Sequence, residues 1–267
     1  MKRKCKPQSE KRSPAERILA ALDTAGGWRS GEELADMLGV SRAAVAKHIA
    51  ALREFGHIIQ SRTHKGYLLQ LKADRIDRGL VEKCLETAVL GRQAWRILDE
   101  AESTNTEAIT WALNGCPTGS VVTAERQNGG KGRRGHAWFT SPRSLSVSLV
   151  LRPEGGGDGA AATHAALAAM REAIARSTGL ETTIKKPNDL YLGGKKICGI
   201  LVESGLRGDE PDWVVLGAGC NVNVLPSEFP DDIRDRVTSL YAEGAVSVSR
   251  NELLARFLNA LEPLLPL

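Results

Sequence analysis

No segment of the 267 residues is long and apolar enough to cross a bilayer as a helix, so no membrane-spanning helix is expected within them. The basic start of the chain (Lys2, Arg3, Lys4, Lys6, Lys11 and Arg12) has no apolar run behind it, so no secretory signal is expected. Cysteine is sparse. Cys5, Cys84, Cys116, Cys198 and Cys220 are odd in number, scattered, and contain no Cys-x-x-Cys pair. That pattern argues against a disulfide framework and against a resident metal site, and it fits a reducing cytoplasm. Charge of either sign is not dominant: the net charge is +4, with much of the excess in the first twelve residues. Hydrophobic residues make up 42% of the chain, ample for the cores of two domains.

What the chain does have is a glycine- and cation-rich stretch, Ala124 to Trp138. Four glycines fall within seven residues (Gly129, Gly130, Gly132, Gly135), and Lys131, Arg133 and Arg134 have no acidic neighbour in sequence. Such a backbone can approach a ligand closely while fixed cations hold an anion. Apolar runs at Ser120–Ala124 and Ser144–Leu151 flank it and read as strands of one sheet, so it is a loop inside a domain and not a tail. It is no Walker A loop, which needs Gly-Lys-Ser/Thr opening a helix.

Residues 14–71 read as three helices and a hairpin. Ile18, Leu19 and Leu22 mark the first helix. Ser30-Gly31-Glu32-Glu33 is a capping box that opens the second, with Leu34, Met37 and Leu38 facing inward. Gly39 makes a tight turn. Ser41 caps a third helix with an apolar stripe of Val45, Ile49, Leu52 and Phe55, opposite Arg42, Lys47 and Arg53. A hairpin tipped by Arg62-Thr63-His64-Lys65 follows, the pattern of a winged helix-turn-helix. In that fold the third helix enters the major groove, which makes Ser41, Arg42, Lys47 and Lys65 the candidate DNA-binding residues. Residues 1–13 read as a basic disordered tail, and a charged linker sets the next domain at 72–267.

In that second domain, Trp95–Leu98 reads as a strand followed by a helix from Ser103 to about Asn114. Glu154–Gly159 reads as a flexible link, and Ala160 to about Ser177 as an alanine-rich helix across the sheet. Leu190–Leu192 and Ile197–Glu203 form a hairpin closed by Gly193-Gly194. Trp213–Leu216 is a strand ending in Gly217-Ala218-Gly219-Cys220-Asn221, whose small residues permit close approach of a nucleotide. Arg234–Tyr241 reads as a turn and short helix, and Ser249-x-x-Glu252 as a second capping box opening a helix to about Leu265.

Four stretches, taken together and in order, resemble biotin protein ligases. They are Glu102-Ser103-Thr104-Asn105, then Gly130-Lys131-Gly132-Arg133-Arg134-Gly135, then Lys185-Lys186-Pro187-Asn188-Asp189 with Gly194–Glu203, and finally Gly217–Asn221. With the N-terminal unit, the likeness covers nearly the whole chain and is greatest to bifunctional biotin ligases that repress the biotin operon. It implies an α+β chain in which a winged helix-turn-helix precedes a class II synthetase-like biotin/lipoate ligase domain built on a central mixed sheet. It implies biotin contacts from Ser103, Thr104, Asn105, Gln127, Gly130, Lys131, Gly132, Arg133, Trp138, Lys196 and Gly199. ATP contacts are implied for Arg133, Asn188, Asp189, Lys196, Gly217 and Asn221, with Arg133 and Lys196 as catalytic cations and Mg²⁺ on the triphosphate.

The reaction implied by that resemblance makes biotinyl-5'-AMP and passes biotin to a lysine of a biotin carboxyl carrier protein, while operator DNA is bound by a homodimer formed when biotinyl-AMP is present. Lys131, Lys186 and His136 depart from the family pattern, where Arg, Trp and Arg are usual, and leave open a biotin-sensing repressor with weak or lost ligase activity. Lipoate ligation is disfavoured by the arginine-rich loop. Glu262–Leu267 shows no strand alternation, so the family's C-terminal SH3-like barrel is not expected, and nucleotide affinity should suffer from its absence more than biotin affinity.

Overall fold

The computed structural model describes residues 13–153, 159–207, 210–244 and 246–266. The basic tail and most of the glycine-rich link at 154–158 therefore lie outside the described residues. The chain divides into two compact units between Ala73 and Asp74.

The N-terminal unit comprises helices α1 (Pro14–Ala25), α2 (Gly31–Leu38) and α3 (Arg42–Glu54) and the antiparallel strands β1 (Ile58–Arg62) and β2 (Gly66–Leu71). Ser13 and Ser30 both form reciprocal capping boxes, with Glu16 and Glu33. Gly39 turns at φ 70°, a conformation that costs any side-chain-bearing residue. Ile18, Leu22, Leu34, Ala35, Val45, Ile49, Leu52 and Ile59 close one core. Two expected core residues are elsewhere. Met37 is 40% exposed, because Ala35 takes the inward position on this short helix; Phe55 is 56% exposed at the helix end, stacked on His57. Arg53 is exposed on the face opposite the core as expected, and from there its guanidinium donates to Ile59 O and Ser61 Oγ, tying α3 to the wing.

The second unit is built on a seven-stranded mixed sheet, whose strands are β3 (Trp95–Ala101), β4 (Ser120–Gln127), β5 (Ser144–Leu151), β6 (Thr183–Lys185), β7 (Asp189–Leu192), β8 (Lys195–Arg207) and β9 (Glu210–Asn221). Their order is β3-β4-β5-β9-β8-β7-β6, with only the β3–β4 pair parallel. Helices α6 (Gly159–Thr178) and α8 (Arg250–Leu261) cover one face, together with the short α4 (Arg78–Glu82); α5 (Thr104–Leu113) lies on the other, and α7 spans Leu240–Gly244.

Strand period two sorts the side chains. On β5, Leu145, Val147, Leu149 and Leu151 enter the α6/α8 core, which leaves Ser144, Ser146 and Ser148 on the opposite face. On β9, Val214, Leu216, Ala218 and Cys220 face that core, so Gly217, Gly219 and Asn221 share the serine side. Gly193 and Gly194, both at positive φ, close the β7–β8 hairpin as expected.

Local expectations are adjusted in two places. Ser249 accepts the N–H of Glu252, but Glu252 pairs with Arg256 rather than closing a capping box, and α8 ends at Leu261 with a single 3₁₀ turn beyond. The short helix expected at Arg234–Tyr241 begins only at Leu240. At the start of α8, Arg250 is 1% exposed and donates to Asp74, to Glu125 on β4 and to Ser144 O on β5. A buried guanidinium is tolerated because its donors are met by two carboxylates and two backbone carbonyls, those of Ser144 and Asp74.

Candidate active site

A cavity of about 210 Å³ opens on the serine-and-glycine side of the sheet, beneath the cationic loop. It gathers Ser103, Thr104, Asn105, Gln127, Lys131 and Gly132, and beside them Arg133, Trp138, Asn188, Asp189, Lys196, Gly199 and Gly217. Among the residues singled out from sequence, Gly130 and Asn221 do not line it. Gly130 lies behind the loop, where a Cβ would fall 2.6 Å from Trp138 O; Asn221 is buried one step deeper and donates to Thr238 O.

The loop folds back on itself. Gly132 N–H donates to His136 O at 2.7 Å and Trp138 N–H to Gly130 O at 2.8 Å, with Arg133–Gly135 as a 3₁₀ turn at the tip. Arg134 and Gly135 both take positive φ there. This return carries the Trp138 indole over the floor of the cavity. The absent side chains of β8 and β9 make the fit possible: a Cβ at Gly219 would lie 2.5 Å from Trp138 Nε1, and one at Gly199 3.2 Å from its Cζ3. The space over Gly217, expected to admit a nucleotide, is taken by Asn105, whose Oδ1 would be 2.1 Å from a Cβ there.

Lys196 reaches the cavity by a local irregularity. Leu190 pairs with Cys198 and Tyr191 with Lys196, so Ile197 is an extra residue in β8. The bulge lets Ile197 and Cys198 both enter the core and turns Lys196 to the opposite face. Its backbone is held by Arg236 O and the Thr238 N–H, each at 2.9 Å. Its ammonium lies 2.7 Å from Asp189 Oδ1 and 5.2 Å from the centroid of the Trp138 ring, an ion pair with a cation–π contact.

On the α5 side, Ser103 occupies the N-cap position, yet its side chain makes no capping bond. Thr104 N–H donates to Gln127 Oε1 at 2.7 Å, and Gln127 Nε2 to Ser146 Oγ at 3.3 Å. Gln127 is the last residue of β4 rather than part of the loop. Ser146 also lines the cavity and was not singled out from sequence; His136, Leu201 and Gly219, which line it too, lay in stretches singled out there but carried no assigned contact. The alternation Ser144-Leu145-Ser146-Val147-Ser148-Leu149 carried the signal for Ser146: a buried strand with one hydroxyl face is placing polar atoms under something. Of the three departures from the family pattern, Lys131 and His136 line the cavity, whereas Lys186 is exposed outside it.

In the N-terminal unit, Arg42, Lys47 and Lys65 are all exposed, and the Ser41 hydroxyl accepts the Ala44 N–H as the α3 cap. Arg62, on the wing, lies over the Trp28 ring at 5.9 Å.

A mixed sheet with a glycine floor under a cationic loop, joined to a winged helical unit, defines a ligase of the biotin/lipoate class. Residues 98–221 match the Biotin/lipoate A/B protein ligase family, and residues 15–68 match an HTH domain. The chain is 34% identical over 235 residues to the Bifunctional ligase/repressor BirA of Bacillus subtilis (strain 168), covering 87% of this chain and 72% of that protein. It is 32% identical over 253 residues to the Bifunctional ligase/repressor BirA of Escherichia coli (strain K12), covering 93% and 76%. Among solved structures, the biotin protein ligase from Aquifex aeolicus in complex with biotin and ATP superposes with a TM-score of 0.57 at 29% identity, covering 64% of this chain and 69% of that one. The chain belongs to the bifunctional ligase/repressor family of biotin protein ligases.

Proposed function

We propose that this protein activates biotin with ATP, transfers it to a lysine of a biotin carboxyl carrier protein, and represses biotin genes through its N-terminal unit. The observation that carries the ligase reading is Lys196, bulged onto the cavity face between Asp189 and the Trp138 ring. A carboxylate substrate entering beside Lys196 meets an ammonium already desolvated on one side, where a charge-assisted bond is roughly twice as strong as a neutral one.

In the first step a biotin carboxylate oxygen attacks the α-phosphorus, and the bond to pyrophosphate breaks. Lys196 and Arg133 are the catalytic cations that bring the two anions together and stabilise charge on the phosphorus. Ser103, Thr104, Gln127 and Trp138 hold the biotin head, with Asn105, Lys131, Gly132 and Gly199 shaping its pocket. Asn188 and Asp189 serve the nucleotide end, whereas Gly217, covered by Asn105, and the buried Asn221 shape the wall behind it. Among the described residues no group of three His, Cys, Asp or Glu gathers, so a Mg²⁺ ion would be held chiefly by the triphosphate oxygens, with Asp189 the carboxylate lining the cavity that could meet it, and it would supply neutralisation of the phosphate charge. In the second step a neutral lysine amine of the carrier attacks the acyl carbon, AMP leaves, and the amine proton is released.

The same adenylate is the repressor's signal. It orders the glycine loop, favours a homodimer, and sets two helix-turn-helix units (residues 14–71) against a palindromic operator, while residues 72–267 carry the ligase. The protein acts in the cytoplasm; among the described residues no helix is long and apolar enough to cross a membrane, and Cys84, Cys116, Cys198 and Cys220 are free thiols. Pyrophosphate release that requires biotin and is not supported by lipoate tests the reading; release with lipoate instead overturns it.

A further inference from the structure

The backbone of Lys196 faces a side of β8 that β9 does not reach. The β8–β9 ladder starts only at Cys198, opposite Cys220, and β9 ends at Asn221. Both the N–H and the C=O of Lys196 point away from β7, and there residues 236–238 take the place that a longer β9 would fill: Val237 forms a parallel bridge to Lys196. A bridge of two hydrogen bonds is not a strand, so its position is set by whatever fixes those three residues.

Thr238 is where they are fixed. It is 4% exposed, and each of its polar groups is engaged in a different direction. Its N–H donates to Lys196 O, its carbonyl accepts Asn221 Nδ2 at 3.0 Å, and its hydroxyl donates to Glu243 Oε1 at 2.7 Å. The Ser239 hydroxyl donates to Val224 O at 2.6 Å and the Tyr241 N–H to Val222 O at 2.9 Å, which ties the segment to the chain leaving β9. Glu243, on α7, is the charged member of this set, and a bond to a carboxylate is roughly twice as strong as one to a neutral acceptor. The other oxygen of that carboxylate lies against the β7–β8 turn, where a Cβ on Gly193 would meet it at 3.3 Å. One side chain thus abuts the turn just before Lys196 and, through Thr238, holds the bridge at Lys196 itself. Neither Thr238 nor Glu243 lines the cavity, so their effect on the chemistry passes through Lys196.

We propose that Thr238 is a positioning residue for adenylate formation: clamped by Glu243 and Asn221, it fixes the backbone at the Lys196 bulge and thereby the place of the ammonium. The proposal rests on the reading of Lys196 as a catalytic cation.

Thr238→Val keeps the shape and the backbone bonds and removes the hydroxyl. Pyrophosphate release at saturating biotin and Mg-ATP should slow about tenfold, within the roughly 10²-fold that a misplacement of about 1 Å costs, with KM for biotin changed less than about twofold. Thr238→Ser, which keeps the donor, should stay within about threefold of wild type. Glu243 is exposed on its outer side, and Glu243→Leu breaks the same bond from there, so it should slow the reaction as much and the double variant no further. In a Lys196→Gln background, Thr238→Val should change the rate less than about twofold, because there is no ammonium left to place. A general loosening of the fold would slow the reaction whichever residue stands at 196. If Thr238→Val does not fold, Glu243→Leu carries the same comparison. A folded variant with the wild-type rate, or a loss that multiplies in full with that of Lys196→Gln, overturns the proposal. A Lys196→Gln protein as fast as wild type overturns the catalytic reading of Lys196 instead.

Discussion

Trp138 lies across Gly219 so closely that a methyl group at residue 219 would sit 2.5 Å from the indole nitrogen. The indole cannot keep its place over the floor unless that position is glycine. Gly219→Ala should therefore displace Trp138 and weaken biotin binding about ten- to a hundredfold, the usual cost of overpacking a tight contact being about 1–3 kcal/mol. Calorimetric titration with biotin checks this. Unchanged affinity would mean that Trp138 swings clear without consequence and does not wall the ligand.

Lys196 is the cation whose removal should reach the chemistry. Lys196→Gln removes the charge and keeps a polar side chain one bond shorter, and adenylate formation at saturating biotin and ATP should fall about 10²–10³-fold, as when one preorganised donor is removed. Stopped-flow pyrophosphate release measures it. A change confined to KM would make Lys196 a binding group with no part in stabilising the transition state.

Much of this site was legible in the sequence because its motifs are local. Ser103-Thr104-Asn105, the Gly130–Gly135 loop and the Gly193-Gly194 hairpin each depend on adjacent residues and backbone preference. What escaped depends on pairing. The bulge at Ile197 that aims Lys196 exists only in register with Leu190 and Tyr191, and the bond from Asn105 to Glu203 joins residues 98 apart. Period alone misplaced Met37 and Phe55, since a helix end offers apolar side chains that a small core does not need. The buried Arg250 cluster joins residues far apart in the chain, and a lone arginine in a helix carries no mark of burial.

Glu262 predicts a pH dependence. Burial raises its carboxyl pKa, but the N–H groups of Ala88, Leu90 and Val89, donating at 2.6, 2.7 and 2.9 Å, outweigh that and hold it below the usual range. A carboxyl depressed in the folded state stabilises above its unfolded pKa and loses that contribution as pH falls through its folded pKa. Glu262→Gln should thus cost about 1–3 kcal/mol near pH 7, with the gap from wild type narrowing below about pH 4.3 and closing at lower pH. Urea unfolding of both proteins across that range tests it; a constant gap would show that the charge is not what matters.

For DNA, the exposed Arg42, Lys47 and Lys65, doubled in the homodimer proposed above, would supply about 6–10 phosphate contacts, so operator affinity should fall about 10³–10⁵-fold between 50 and 200 mM salt. Arg42→Ala should flatten the salt slope by about 1 for each phosphate the guanidinium no longer neutralises, and should leave ligation intact. Filter binding at several salt concentrations decides it, and an unchanged slope would remove Arg42 from the interface.

On the proposed reading, the cavity under the cationic loop makes biotinyl-adenylate and hands biotin to a protein lysine. The most direct test of that reading is the intact mass of a biotin carboxyl carrier domain incubated with the purified protein, biotin and Mg-ATP. A gain of one biotinyl group on a single lysine, dependent on ATP and abolished by Lys196→Gln on the time scale of the wild-type reaction, is the result predicted. A carrier of unchanged mass while biotinyl-adenylate accumulates would contradict it, leaving a protein that senses biotin without ligating it.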